Sequence, residues 1–336
     1  MIEMSTPVAI FFTLLAACMW GSWMQVVKHT GKYPISGIIF WLYSFSMIFI
    51  WVLTLILAPF VLEKNILYYL QGQGEVIFKV LIGGGMMSLG LLLSLELMGK
   101  IGLLLSTAVG GAITAILGLA TSIGEEGLPS HPMALPVIIA CAATFIIAGV
   151  VCAQAGAMRD KDRLIAAGKD PKQKVAGAIT VNALLIWLLC SFLSNGWSVG
   201  TAAGTASGFP PLLTCALMST GSFISVFIAC GIIFTVKHQW KEVLCIGQSK
   251  RPLYYSMICA LCHYGGNMIS IFSMPAISAT MSFLFGRFSS VVTYFWGIFY
   301  KEFSGSSKKT IAMLVVGLIL FFVAVGLLGV FNLAIR

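Results

Sequence analysis

Ten runs of predominantly apolar residues divide the chain, at 7–27, 35–60, 77–98, 101–122, 134–155, 176–196, 211–236, 253–273, 276–299 and 309–333. Each is close to the ~20 residues an α-helix needs to cross a hydrocarbon core about 30 Å thick. Lipid offers nothing to satisfy backbone amides and carbonyls, so only helices and closed barrels can span it. The runs do not alternate polar with apolar residues, which excludes barrel strands. Charge agrees, since 9% of the 336 residues are Asp, Glu, Lys or Arg, against about 25% in soluble domains. The expectation is an all-α, multi-pass integral membrane protein with ten transmembrane helices. No basic leader precedes the first run, so no cleaved signal peptide is expected. Gly99-Lys100 and Ser273-Met274-Pro275 leave almost no connecting loop, so their flanking spans should form antiparallel hairpins.

The formal charge of +9 reads as topology rather than nucleic-acid binding. Sixteen of the 20 basic residues fall in alternate connections, among them Lys28, Lys100, Arg159, Arg163, Lys241 and Lys301. Only Lys64, Lys79 and Arg336 lie on the other side. Positive charge stays on the cytoplasmic side, which predicts a cytoplasmic (inner) membrane protein with both termini outside. The nine cysteines are scattered through apolar runs. Cys259-x-x-Cys262 has no second pair to complete a metal site, so these residues read as small packing side chains and no cofactor is expected.

Sliding the chain on itself by 176 residues superposes Gly90 on Gly266, Ser94 on Ser270, Met98 on Met274, Ser106 on Ser282, Gly110 on Gly286 and Glu126 on Glu302. The same offset matches spans three and four to eight and nine. The reading is a first repeat over 1–155, a basic linker over 156–175 and a second repeat over 176–336. Five spans per repeat is an odd number, so the second repeat would be inverted, an arrangement found in transporters that alternate access to a midplane site.

"LLAACMWGSWMQVVKHTG" resembles the first helix of the drug/metabolite transporter superfamily. "FSSVVTYFWGIFYKEF" at 288–303 resembles the ninth helix of its sugar-transporting branches, the glucose/ribose porters and L-rhamnose–proton symporters. Lys301-Glu302 and Gly124-Glu125-Glu126 stand where that superfamily places acidic helix ends. The resemblance implies two inverted five-helix repeats around a central pathway for a small polar solute, with proton or exchange coupling in many members.

Ionisable residues inside spans are costly and tend to face the bundle interior. Arg287, midway along span nine, reads either as a donor fork for a carboxylate, phosphate or hydroxylated solute, or as a structural arginine satisfied by carbonyls near Pro275. His263 and Asn267 share a helix face in "CHYGGNM". A mid-membrane imidazole suits proton coupling, or is a neutral ring bonded to backbone. Glu96 is a second proton-coupling candidate, or the partner of Lys100 one turn on. Asn182 and Gln25 are partners for solute hydroxyls, or glue between helices.

Trp20, Trp41 and Tyr43 are candidate walls of the solute site, because aromatic faces stack on sugar faces, with an interfacial belt as the other reading. Trp20 stands two turns, about 12 Å, above Lys28, which is deep for a belt residue, whereas Trp23 is close enough to belong to one. "GGGMMS" at 83–88 lacks the Gly-Lys-Ser/Thr of a phosphate loop and reads as close helix packing. The expected function is a secondary transporter of a small polar solute, a sugar above all, with a proton as a second partner. A drug or metabolite exporter, or a carrier of small anions using Arg287, is the alternative. With so few ionisable residues, an enzyme is not expected.

Overall fold

The computed structural model describes residues 4–101, 103–128, 130–168 and 181–334. The helices are α1 (Thr6–Ser22), continued by a 3-10 segment (Trp23–His29), then α2 (Ile35–Val61), α3 (Ile66–Leu70), α4 (Gly74–Ile101), α5 (Leu103–Glu126) and α6 (Ala134–Ala166). After the linker come α7 (Val181–Ser194), α8 (Gly196–Ala206), α9 (Pro211–Val236), α10 (Trp240–Val243), α11 (Arg251–Ile277), α12 (Ala279–Gly286), α13 (Ser289–Phe299) and α14 (Lys308–Ala334). No β-strand occurs among the described residues. Seven segments are long and apolar enough to cross a membrane: Thr6–Val26, α2, Gly74–Leu95, α6, α9, α11 and α14. Large apolar side chains such as Phe60, Ile232 and Val330 are exposed along them, a surface that suits lipid and not water. The chain is an all-α, multi-pass membrane protein.

Two segment ends depart from the sequence reading. The helix after the linker does not stop at residue 196. It breaks at Asn195 and resumes as α8, "GWSVGTAAGTA", whose small and hydroxylated residues lower the local hydropathy while allowing close packing. Pro275 does not make the turn between spans eight and nine. It lies inside α11, within its last turn, so the break it makes in the i→i−4 ladder is confined to the helix end. The turn falls at Ser278, with φ +78°, and α12 then runs only to Gly286 before the chain breaks again at Arg287 and Phe288.

Glycine sets how closely the helices cross. A Cβ on Gly221 of α9 would lie 1.9 Å from the Leu81 carbonyl oxygen, and one on Gly84 of α4 would lie 2.1 Å from the Met218 carbonyl oxygen. Gly83 meets the backbone of α8 at Gly200, and Gly196 meets the Gly83 oxygen, each at under 3 Å from the added carbon. The "GGGMMS" stretch is therefore a packing surface, as expected, and small residues supply the contact area that a hydrophobic force cannot supply in lipid. Gly21 does the same for α1, where a Cβ would meet the Ser289 oxygen of α13 at 2.4 Å. Ser22 seals that crossing by donating to Cys18 O at 2.7 Å and accepting the Trp296 Nε1 proton at 2.9 Å. The nine cysteines are free thiols.

Candidate functional site

The middle of the bundle is organised around α1 and α11. Trp20 is wedged between α11 and α12, where two glycines make room for it. A Cβ on Gly266 would stand 2.8 Å from the indole nitrogen, and one on Gly286 would stand 2.9 Å from the ring. The indole N–H reaches Asn267 Oδ1 at 2.8 Å and the His263 carbonyl at 3.2 Å. Trp197 of α8 meets Trp20 edge to face at 5.5 Å. Because the indole can only donate, it fixes the Asn267 amide with its oxygen toward Trp20 and its NH2 group unused.

One turn along α11, the His263 ring is enclosed by Trp23 at 5.4 Å, Tyr43 at 5.8 Å and Tyr264 at 5.7 Å. Trp23 is only 4% exposed, so it is a wall of this enclosure and not the belt residue its closeness to Lys28 suggested. Packing between α1 and α11 carries it inward, and Cys259 Sγ lies 3.4 Å from its carbonyl. The Tyr264 hydroxyl is 2.7 Å from Ser222 Oγ, which donates to Gly84 O at 2.8 Å. With the serine proton so used, Tyr264 donates to Ser222.

The remaining polar atoms lack partners. Both His263 ring nitrogens, the Tyr43 hydroxyl, Asn267 Nδ2 and Gln25 Oε1 are buried without a hydrogen bond. An unsatisfied buried polar group costs about 1–3 kcal/mol, and such groups in native proteins call for a water, an ion or a ligand. Around the enclosure this leaves a donor at Asn267 and both capacities at Tyr43 and the neutral imidazole, while Gln25 adds a buried acceptor in the 3-10 segment. Indole and phenol rings wall it.

Arg287 caps α12, next to the Gly286 that receives Trp20. Its guanidinium lies over the Phe283 ring at 4.4 Å, and no carboxylate pairs with it among the described residues. Trp41 is not part of the group. Its indole donates to Val243 O at 2.9 Å, alongside the Tyr33 hydroxyl at 2.7 Å, and its ring stacks on Phe45. The side chains of Glu96 and Asn182 lie outside the described residues. Tyr264, Ser222 and Trp197 were not singled out from the sequence. Trp197 had a signal: at the offset of 176, Gly196-Trp197 falls on Trp20-Gly21.

Each end of the bundle carries a carboxylate tie. At the basic end, Glu302 pairs with Lys28 and, at 2.8 Å, with Arg159, while Arg163 donates to its carbonyl. Asp162 accepts from Ser307 N at 2.8 Å and Thr310 Oγ1 at 2.7 Å, fastening α6 to the start of α14. At the opposite end, Glu126 accepts from Ala279 N at 2.8 and 3.0 Å and from Thr280 N at 3.3 Å. A cavity of about 510 Å³ opens beside it, lined by Glu125, His131, Thr205, Met274 and Asn332. A cavity of about 620 Å³ at the basic end is lined by His29, Lys32, Tyr33, Glu242 and Arg251.

Partial burial raises the Glu302 pKa, but Lys28 and Arg159 more than offset it, so the group titrates below its ordinary 4.5. A depressed carboxyl stabilises the fold above its unfolded pKa and loses that contribution as pH falls through the folded value. The melting-temperature difference between wild type and Glu302→Gln should therefore stay constant from about pH 7 to about 5 and shrink below the ordinary carboxylate pKa. It should also shrink in high salt. A difference independent of both would show that the tie contributes nothing electrostatic.

Fold and site together define a polytopic helical membrane protein with a buried polar centre walled by aromatic rings. No family model matches the chain, and no curated protein does.

Proposed function

We propose that the chain is a secondary transporter that moves a small polar solute, a sugar above all, by alternating access between two inverted five-helix repeats. The observation that carries this reading is the buried set of unpartnered groups on His263, Tyr43 and Asn267, a set that hydroxyls of either hydrogen-bonding sense would complete against aromatic walls. Ten spans follow if α5 is counted with the seven apolar helices and the broken pairs α7–α8 and α12–α13 each make one crossing. The basic end is then cytoplasmic and both termini are outside.

Neighbour relations support the repeat. α4 packs on α7 and α8 as α11 packs on α1, α9 on α4 as α2 on α11, and α8 on α5 as α1 on α12 and α13. The pairs α6–α14 and α2–α9 are each their own counterpart. His263, an imidazole without a partner at the centre, is the proton carrier of choice in a symport mechanism.

A second reading has its own observation. The Arg287 guanidinium has an aromatic ring beside it and no carboxylate among the described residues, which suits a carrier of small anions, including an exporter. Uptake into proteoliposomes of a panel of labelled sugars and carboxylates, with and without a pH gradient, separates the readings. For an anionic solute, Arg287→Ala should raise KM about tenfold or more, the value of a lost charge-assisted hydrogen bond. For a neutral sugar it should leave KM within about twofold. An unchanged KM for a transported anion would remove the second reading.

A further inference from the structure

The two carboxylate ties occupy equivalent positions, since Glu126 and Glu302 are related by the offset of 176 residues, yet they are engaged differently. Glu126, at the end of α5, holds the first two backbone N–H groups of α12. These are among the amides a helix start leaves without internal partners, and the helix dipole favours a carboxylate there. The Ser278 hydroxyl takes the next, from Met281. The helix so capped is short, with Ser278 at φ +78° before it and the Arg287 break after it, so it can move as a unit.

Repeat symmetry names a matching arrangement that this conformation does not adopt. The counterparts of Ala279 and Thr280 are Leu103 and Leu104, which open α5 at the basic end, where Glu302 lies. Here Glu302 is engaged by Lys28 and Arg159 instead. At the offset positions of those two cations stand Gly204 and Ile335.

We infer that Glu126 and Glu302 are the exchanging bolts of two gates, a reading that rests on the alternating access proposed above. In the conformation described, the Glu126 bolt is engaged and ties α5 to α12 beside the cavity at that end. In the exchanged conformation Glu126 releases Ala279 and Thr280, and Glu302 leaves Lys28 and Arg159 to cap α5 at Leu103 and Leu104. Two inverted halves trade the same contact between opposite membrane faces. Lys28 and Arg159 bias the protein toward the conformation described, because they hold Glu302 away from α5.

Hydrogen exchange of the unliganded protein in lipid nanodiscs, read by mass spectrometry, tests this without knowledge of the solute. Replacing Lys28 and Arg159 together by Met should free Glu302. Amides at 279–280 should then exchange about tenfold faster, the worth of a charge-assisted hydrogen bond, while those at 103–104 should slow. Adding Glu302→Gln to that variant should cancel both changes. Lys28→Met alone, a milder change, should give the same pattern at smaller amplitude, and Glu126→Gln should protect 103–104. Ala279→Pro removes the donor at a position that accepts proline and should reproduce Glu126→Gln. If the basic-end substitutions leave 279–280 unchanged, or if their effect survives Glu302→Gln, the bolts are uncoupled and the inference fails. Uptake assays on the same proteins keep the two readings apart. Solute uptake with uncoupled exchange removes the bolts alone, whereas coupled exchange without uptake of any panel solute sustains the bolts and removes the transport reading.

Discussion

Trp20→Phe should lower solute uptake at least about tenfold while reducing the amount of folded protein in the membrane by much less. Phenylalanine keeps most of the ring in the slot between Gly266 and Gly286 but deletes the indole N–H. Asn267 Oδ1 then loses its 2.8 Å partner, leaving a buried acceptor unsatisfied at a cost of about 1–3 kcal/mol. The amide is then free to turn over and present its oxygen where its NH2 group stood. A site that reads donors and acceptors on a polar solute loses discrimination as well as affinity. Initial uptake rates, normalised to protein measured by fluorescence-detected chromatography, check this. Normal uptake with lost protein would instead make Trp20 an anchor of the first helix.

Gly221→Val should prevent folding outright. Its added Cβ would overlap the Leu81 carbonyl oxygen, at 1.9 Å, and neither atom belongs to a side chain that can rotate away. The α4–α9 crossing would have to separate along its length, including the contact between Gly84 and Met218. Overpacking of side chains costs about 1–3 kcal/mol, and backbone against backbone should exceed that range. A monodisperse peak in detergent with a melting temperature close to wild type would contradict the crossing described. Gly326→Ala is the control. No atom lies within 4 Å of its added carbon, so substitution there should be neutral or stabilising by up to about 1 kcal/mol.

The helices were legible because lipid imposes one length and one hydrogen-bonding solution on every crossing, and runs such as 35–60 and 211–236 meet both. Where a helix is built from small residues, that signal weakens: "GWSVGTAAGTA" is too polar on average to stand out, although its glycines and alanines are what let α8 lie against α4. Pro275 misled for a related reason. Proline marks the end of a helix in sequence, but the helix carries on for two residues past it to Ile277, and the missing i→i−4 bond disturbs only the final turn.

Trp23 shows the limit of reading depth from position alone. It is a short distance from Lys28 along the chain, yet α11 covers it. His263, Asn267 and Tyr43 were visible as polar or aromatic residues within spans. That they meet at one point depends on the α1–α11 and α2–α11 packing, which no local pattern encodes. The aromatic grouping that joined Trp41 to Tyr43 also failed on geometry. Residues two apart on a helix face different ways, and Trp41 turns to the Val243 carbonyl.

The seven-residue 3-10 segment Trp23–His29 sits between the polar centre and the Lys28 tie. A 3-10 turn rises about 2.0 Å per residue against about 1.5 Å for an α-helix, and such runs seldom exceed three or four residues. Rewinding this stretch as α-helix would draw its ends together by about 3.5 Å and rotate one against the other by roughly 140°. The first span therefore contains a screw: a change of pitch just below Trp20 turns into travel and rotation at Lys28, with no need for the rest of α1 to move.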